Sequence, residues 1–163
     1  MESPQSPVRF IVRDANAGDR DVIVDYNLRL ADETEAKSLV LEVVRRGVEV
    51  ALGDPERLRY WVVEEVETGR VVGQSAITRE WSDWRAGWIW WFQSVYVAAD
   101  RRGQGVFRQL HGHIREAARN QPDVIGLRLY VESENHRAQA SYKALGFEPP
   151  GYEVYEEIWR ERF

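Results

Sequence analysis

The stretch from Trp88 to Phe107, WIWWFQSVYVAADRRGQGVF, constrains the fold more than any other part of the chain. Its first half is almost continuously apolar and rich in aromatic and β-branched residues, which predicts a central strand covered on both faces. Arg101-Arg102-Gly103-Gln104-Gly105 then brings two glycines and two cations to the point where the chain must reverse. Glycine allows the backbone to turn, and to approach a ligand, without a Cβ clash. Val106, Leu110, Ile114 and Ala117 follow at helical spacing. A helix that starts in such a loop presents free N–H groups and its positive dipole end at one spot, a geometry suited to phosphate. A glycine pair also occurs in turns that bind nothing, so this segment alone leaves both readings open. A dinucleotide turn fits poorly, because Arg108 stands where G-x-G-x-x-G wants its third glycine.

The chain has 163 residues, enough for one domain with one core, and a net charge of −5, which does not suggest nucleic-acid binding. No apolar run approaches the ~20 residues of a membrane span. The start, MESPQSPV, lacks the basic-then-apolar pattern of a secretory signal, so a cytoplasmic location is the expectation. There is no cysteine, which excludes disulfides, thiolate metal sites and a cysteine nucleophile. His111 and His113 are two apart on a helix and face differently, so no metal site is expected.

Residues 1–7, with two prolines, read as a loose lead-in. Val8 to Arg13 alternates as a first strand. A helix from Asp19 to about Asp32 follows, with Asp19 as its expected cap. A second helix carries Leu39, Val40, Val43, Val44 and Val48 on one side, and Gly53-Asp54-Pro55 ends it. Arg59 to Val66 and Val71 to Glu80 form two strands joined by a short turn. The central strand and its loop come next, and the third helix runs to about Asn120. Gly126 to Val131 alternates as a fifth strand, and the long crossover makes it parallel to the fourth. A fourth helix carries Ala138, Tyr142 and Leu145 and stops at Gly146. Phe147 to Pro150 and Glu153 to Trp159 are expected to form a final hairpin.

Two motifs make the family recognisable. Arg102-Gly-Gln-Gly105-Val-Phe107, after a strand ending in V-Y-V, resembles the R-x-x-G-x-(G/A) diphosphate loop of the GNAT N-acetyltransferases, with Phe107 where the family prefers a small residue. Asn135-His-Arg-Ala138-Gln-Ala-Ser-Tyr142-Lys-Ala-Leu-Gly146-Phe147 resembles that family's N-x-x-A-x-x-x-Y-x-x-x-G-F segment. The resemblance covers Val71 onward well and the first seventy residues loosely. It implies an α/β (α+β) fold: a mixed, mostly antiparallel sheet of about seven strands with four helices, whose fourth and fifth strands run parallel and splay apart.

The resemblance also implies acetyl-CoA as co-substrate. Its pantetheine would lie along Val95, Tyr96 and Val97, and its diphosphate on the amides of Arg102, Gly103, Gln104, Gly105, Val106, Phe107 and Arg108. Asn135 and Tyr142 would complete the coenzyme site. Tyr142 would act as the acid for the departing thiolate, since a phenol with pKa near ~10 stays protonated at neutral pH. As a lone residue, Tyr142 reads first as a half-buried helix aromatic, and only the motif around it favours the acid. Relatives carry a carboxylate base in the fourth strand, but Gln93 and Ser94 occupy those positions. Proton loss through water or to Glu80 is the alternative, although Glu80 also reads as a plain strand-end carboxylate. Asp32, Glu33 and Glu35 are either a solvated helix end or an attraction for a cationic amine, and Glu33, Trp91 and Gln93 are the acceptor-side candidates. The dense tryptophans, Trp81 to Trp91, suit a large-residue core, an acceptor pocket or a homodimer contact.

The activity this implies is acetyl transfer from acetyl-CoA to a small-molecule amine in a ternary complex, with no nucleic acid or membrane as partner. A protein N-terminal or lysine acetyltransferase, and a silent acyl-CoA-binding module, remain the rivals.

Overall fold

The computed structural model describes residues 7–160 and residue 162. Most of the lead-in expected over residues 1–7 therefore lies outside the described residues. The chain builds β1 (Phe10–Asp14), α1 (Arg20–Glu35), α2 (Leu41–Gly53), β2 (Arg59–Glu65), β3 (Val71–Ser82), β4 (Gly87–Val97), α3 (Val106–Arg119), β5 (Val124–Leu129) and α4 (His136–Ala144). The strands form one sheet in the order β1-β2-β3-β4-β5, antiparallel as far as β4. β5 is parallel to β4, as the crossover through α3 requires.

Strand alternation divides the apolar residues between two faces. On one face Trp61, Val63, Ile77, Trp90 and Phe92 pack with Val106, Leu110, Ile114 and Ala118 of α3. On the other, Tyr60, Val62 and Ala76 pack with Ile23 and Val24 of α1 and Val48 and Ala51 of α2. Fully burying one such aliphatic side chain is worth about 1.5–3 kcal/mol, so Leu110 and Ile114, both at 0 % exposure, anchor α3 firmly. Gly73 lets α3 come close to the sheet: a Cβ there would lie 2.8 Å from Val106 Cγ1.

Three sequence expectations need correction. The described residues contain five strands rather than about seven, because 148–160 join no ladder. Pro149 and Pro150 supply no N–H donors, Gly151 turns the chain at φ 83°, and the apolar side chains beyond it, Tyr155 and Trp159 above all, lie exposed with no core to cover. Asp19 does not cap α1 with its side chain: its carboxylate is taken by the Asn16 amide and by Arg13. Asn16 caps the 3-10 turn Ala17–Asp19 that leads into α1, accepting from the Gly18 amide at 2.8 Å. Finally, Val40 and Val43 do not share the buried stripe of α2. Val40 precedes the helix, and the two are 49 % and 40 % exposed, since α2 packs toward α1, β2 and the turn Ala17–Asp19.

Candidate active site

The site begins with a fault in β4. Ala76 pairs with Gln93, but Gln74 pairs with Tyr96, so β4 carries one residue more than β3 across this interval. Ser94 absorbs the excess with φ 51°. A bulge of this kind switches the side-chain phase. Phe92 therefore faces α3, against Phe107, His111 and Phe147. Tyr96, four residues later, faces α1, with its ring 4.8 Å from that of Tyr26.

At the same place β4 and β5 part. Their pairing runs from Trp88↔Val124 to Phe92↔Leu129 and stops. Val95, Tyr96 and Val97 thus keep β3 on one edge and have no β5 partner on the other. An extended amide-bearing ligand can take that edge as an added strand would.

Beyond Val97, a short 3-10 turn (Ala99–Arg101) leads to Gly103 and Gly105, at φ 77° and 80°. These left-handed angles are costly for any residue with a Cβ, and space for a Cβ is open at both. Helix α3 starts at Val106 with no acidic residue in its first turn. The first intrahelical acceptor is the Gly105 carbonyl, bonded by Gln109 N–H, so the amides of Val106, Phe107 and Arg108 precede the helical ladder. Val106 buries its side chain in the core while its amide stays in that first turn.

The loop's charged side chains brace its backbone. Asp100 receives two bonds from Arg70, at 2.7 and 2.9 Å, and this partner holds its carboxyl down at about 2. Arg101 pairs with the buried Glu65. Gln104 Nε2 donates to the Asp100 carbonyl at 3.1 Å. Arg102 donates from Nε to the Val97 carbonyl at 3.0 Å and from Nη2 to Glu33 at 2.5 Å. Glu33 also accepts from the Tyr96 hydroxyl at 2.9 Å. Burial favours the protonated form of Glu33, but the bonds from Arg102 and Tyr96 outweigh it and leave the carboxyl below its ordinary range. Glu33 is therefore part of a clasp joining the last turn of α1 to β4 and the loop.

Tyr142 lies on the α3 side of the gap. Its ring stands edge-on to Phe107 at 5.6 Å and to Phe147 at 6.1 Å, and burial pushes its phenol pKa up. Phe107 thus turns into the aromatic cluster and supports Tyr142. Asn135 caps α4, its Oδ1 accepting from the Ala138 amide at 3.1 Å.

Trp91, one residue before Phe92, faces the other side of the sheet. Its indole N–H donates to Glu80 at 2.5 Å, and its ring lies 4.4 Å from that of Tyr130. Arg128 bonds Glu80 at 3.1 Å and sits over Trp91. Gln93 donates to the Thr78 hydroxyl at 2.9 Å. Glu80, Trp91 and Gln93 thus share one surface, whereas Glu33 is bonded to Arg102 and Tyr96. Tyr130 and Arg128 belong to this surface and were not marked by the sequence. Tyr130 is the first residue after β5, and its stack with Trp91 depends on register that no local pattern encodes.

Among the described residues no group of three or more His, Asp or Glu side chains is placed to hold a metal ion. Nor, among the described residues, is any helix long and apolar enough to cross a membrane.

Residues 26–147 match the acetyltransferase (GNAT) family model. A possible acetyltransferase from Clostridium difficile 630 superposes with a TM-score of 0.85 at 38 % identity, over 93 % of this chain and 99 % of that one. A predicted acetyltransferase from Clostridium acetobutylicum, solved with acetyl-CoA, superposes with a TM-score of 0.73 at 16 % identity, over 91 % and 96 %. Glucosamine-6-phosphate N-acetyltransferase from Arabidopsis thaliana gives 0.70 at 17 % identity, over 92 % and 99 %. The last two likenesses are of fold. No curated protein sequence matches the chain.

Proposed function

Because the chain belongs to the acetyltransferase (GNAT) family, we propose that it transfers the acetyl group of acetyl-CoA to the amine of a small molecule, by direct attack in a ternary complex. The observation that carries this reading is the coincidence of three features: the unpaired edge of Val95–Val97, the glycine loop at the start of α3, and the half-buried phenol of Tyr142 packed on Phe107.

In this reading the diphosphate rests on the amides from Gly103 to Arg108, where the helix dipole and Arg108 favour negative charge. The pantetheine amides pair with Val95 and Val97. Asn135 orders the start of α4 beside the coenzyme. A backbone N–H of the bulged strand polarises the thioester carbonyl, and the amine nitrogen attacks its carbon. As the tetrahedral intermediate collapses, the C–S bond breaks and Tyr142 protonates the departing thiolate. Its raised pKa keeps that proton in place at neutral pH.

The acceptor approaches from the opposite face, over Trp91, Gln93 and Tyr130. The aromatic pair suits a cationic or planar substituent. Glu80 is the carboxylate of that surface, already engaged by Arg128 and Trp91, so it orients the acceptor, and the ammonium proton leaves through water. Glu33, clasped to Arg102, serves the coenzyme side, and its contribution to the acceptor is through the position of α1.

The test is free-thiol release from acetyl-CoA across a panel of small amines, basic peptides and protein N-termini, beside calorimetry with the coenzyme. Turnover of small amines supports the proposal, and turnover confined to peptides replaces it with a protein acetyltransferase. Coenzyme binding without turnover on any acceptor identifies a silent binding module.

A further inference from the structure

The bulge in β4 leaves the carbonyls of Gln93 and Ser94 out of step with the β3 ladder. Two adjacent β3 side chains reach them. Gln74 Nε2 donates to the Ser94 carbonyl at 3.1 Å, and Ser75 Oγ lies 3.4 Å from the Gln93 carbonyl. Both residues are 0 % exposed. Gln74 Nε2 also donates to Asn27 Oδ1 on α1 at 2.7 Å, and Asn27 Nδ2 donates to the Tyr60 hydroxyl on β2 at 3.1 Å. One buried amide thus ties the faulted residue of β4 to the helix and strands around it.

This arrangement has a cost. Gln74 Oε1 is buried and accepts no hydrogen bond. An unpaired buried acceptor destabilises a fold, and an apolar side chain of similar length would remove the penalty. What an apolar side chain lacks is the donor for Ser94. Ser94 is also one of three described non-glycine residues at positive φ, a conformation that needs outside support.

We propose that Gln74 is a positioning residue: by holding the Ser94 carbonyl and Asn27 together it fixes the β4 bulge, and so sets the strand edge that receives the thioester. The inference rests on the proposed use of the β4–β5 gap. Gln74 does not touch the reacting atoms. Its effect is on where the amides after Ser94 point, which controls transition-state alignment more than coenzyme affinity. The diphosphate loop, braced separately through Asp100, Arg101 and Arg102, is untouched.

Two variants test this in the full chain: Gln74→Met, which keeps length without a donor, and Asn27→Ala, which keeps the Ser94 bond but removes its anchor. Hydrogen exchange of the Tyr96 and Ala98 amides, which face β3 just past the bulge, is read in the resting protein, with Leu110 and Ile114 as internal reference. The expected result for Gln74→Met is exchange at least tenfold faster at Tyr96 and Ala98, with the reference amides unchanged. Asn27→Ala gives a smaller change in the same direction, and it carries the test if Gln74→Met does not fold. On any amine the wild type acetylates, Gln74→Met lowers kcat tenfold or more while the Kd for CoA stays within twofold. Unchanged Tyr96 and Ala98 exchange in the folded variants overturns the proposal. So does a loss of CoA affinity matching the loss of kcat. A wild type that acetylates nothing refutes the acetyltransferase reading, while the exchange data still decide the role of Gln74 at the bulge.

Discussion

Gly105 offers the sharpest test of the loop, because strain and ligand contact can be read apart there. The residue sits at φ 80°, ψ 9° immediately before α3. Alanine in this left-handed region costs about 1–2 kcal/mol. No protein atom lies within 4 Å of the added methyl, so the free protein suffers no clash. In a chain of 163 residues that strain lowers Tm by roughly 2–8 °C. If the diphosphate occupies the open space, the methyl also meets the ligand, and the Kd for CoA rises tenfold or more. Gly112→Ala is the control: it lies inside α3 with open space around it, and alanine there should stabilise by about 0.5–1 kcal/mol without changing affinity. Thermal melting and titration calorimetry with CoA read the two effects. A Gly105→Ala protein that melts lower yet binds CoA with wild-type affinity would falsify the placement of the diphosphate.

Tyr142→Phe keeps the ring contacts and removes only the acid, so kcat should fall by about 10²–10⁴ with CoA binding within twofold, measured by thiol release and calorimetry. Phe107→Ala should lower kcat with a smaller effect on CoA binding than Gly105→Ala, since the ring supports Tyr142 and not the loop backbone. Trp91→Ala and Tyr130→Ala should raise acceptor KM and leave coenzyme Kd alone, and equal loss of both parameters would place the acceptor elsewhere. Burial, and then Arg115, hold the His111 pKa below its ordinary 6.5 in the folded state. The unfolded chain therefore binds more protons there, so stability is full above about pH 6.5 and falls on acidification. Denaturation in urea across pH 7 to 5 should show this slope, and His111→Leu should flatten it.

The glycine loop was legible because its physics is local. Glycines at Gly103 and Gly105 and the helical period of Val106, Leu110 and Ile114 lie within a dozen residues, and each states its own conformational need. Order and direction of the strands were legible for the same reason. The bulge was not, since Ser94 carries no glycine to mark its positive φ, and Gln74 reads as an ordinary polar residue until the Gln74–Tyr96 register is known. Glu33 was legible as a charge near the site but not as a clasp, because its partner Arg102 is 69 positions away. The final hairpin expected over Phe147 to Pro150 and Glu153 to Trp159 failed because Pro149 and Pro150 supply no N–H donors and Val154, Tyr155, Ile158 and Trp159 bury against nothing among the described residues.

Neighbouring side chains on β4 answer to different demands. Trp91 and Phe92 are covalent neighbours, yet one belongs to the surface shared with Tyr130 and the other to the cluster around Phe107. The sheet acts as a partition with a single slot, so changing one side need not disturb the other. Randomising Trp91, Gln93 and Tyr130 should redirect such a protein among amines with the thioester machinery intact, and the same chemistry could be inherited unchanged through many shifts of substrate.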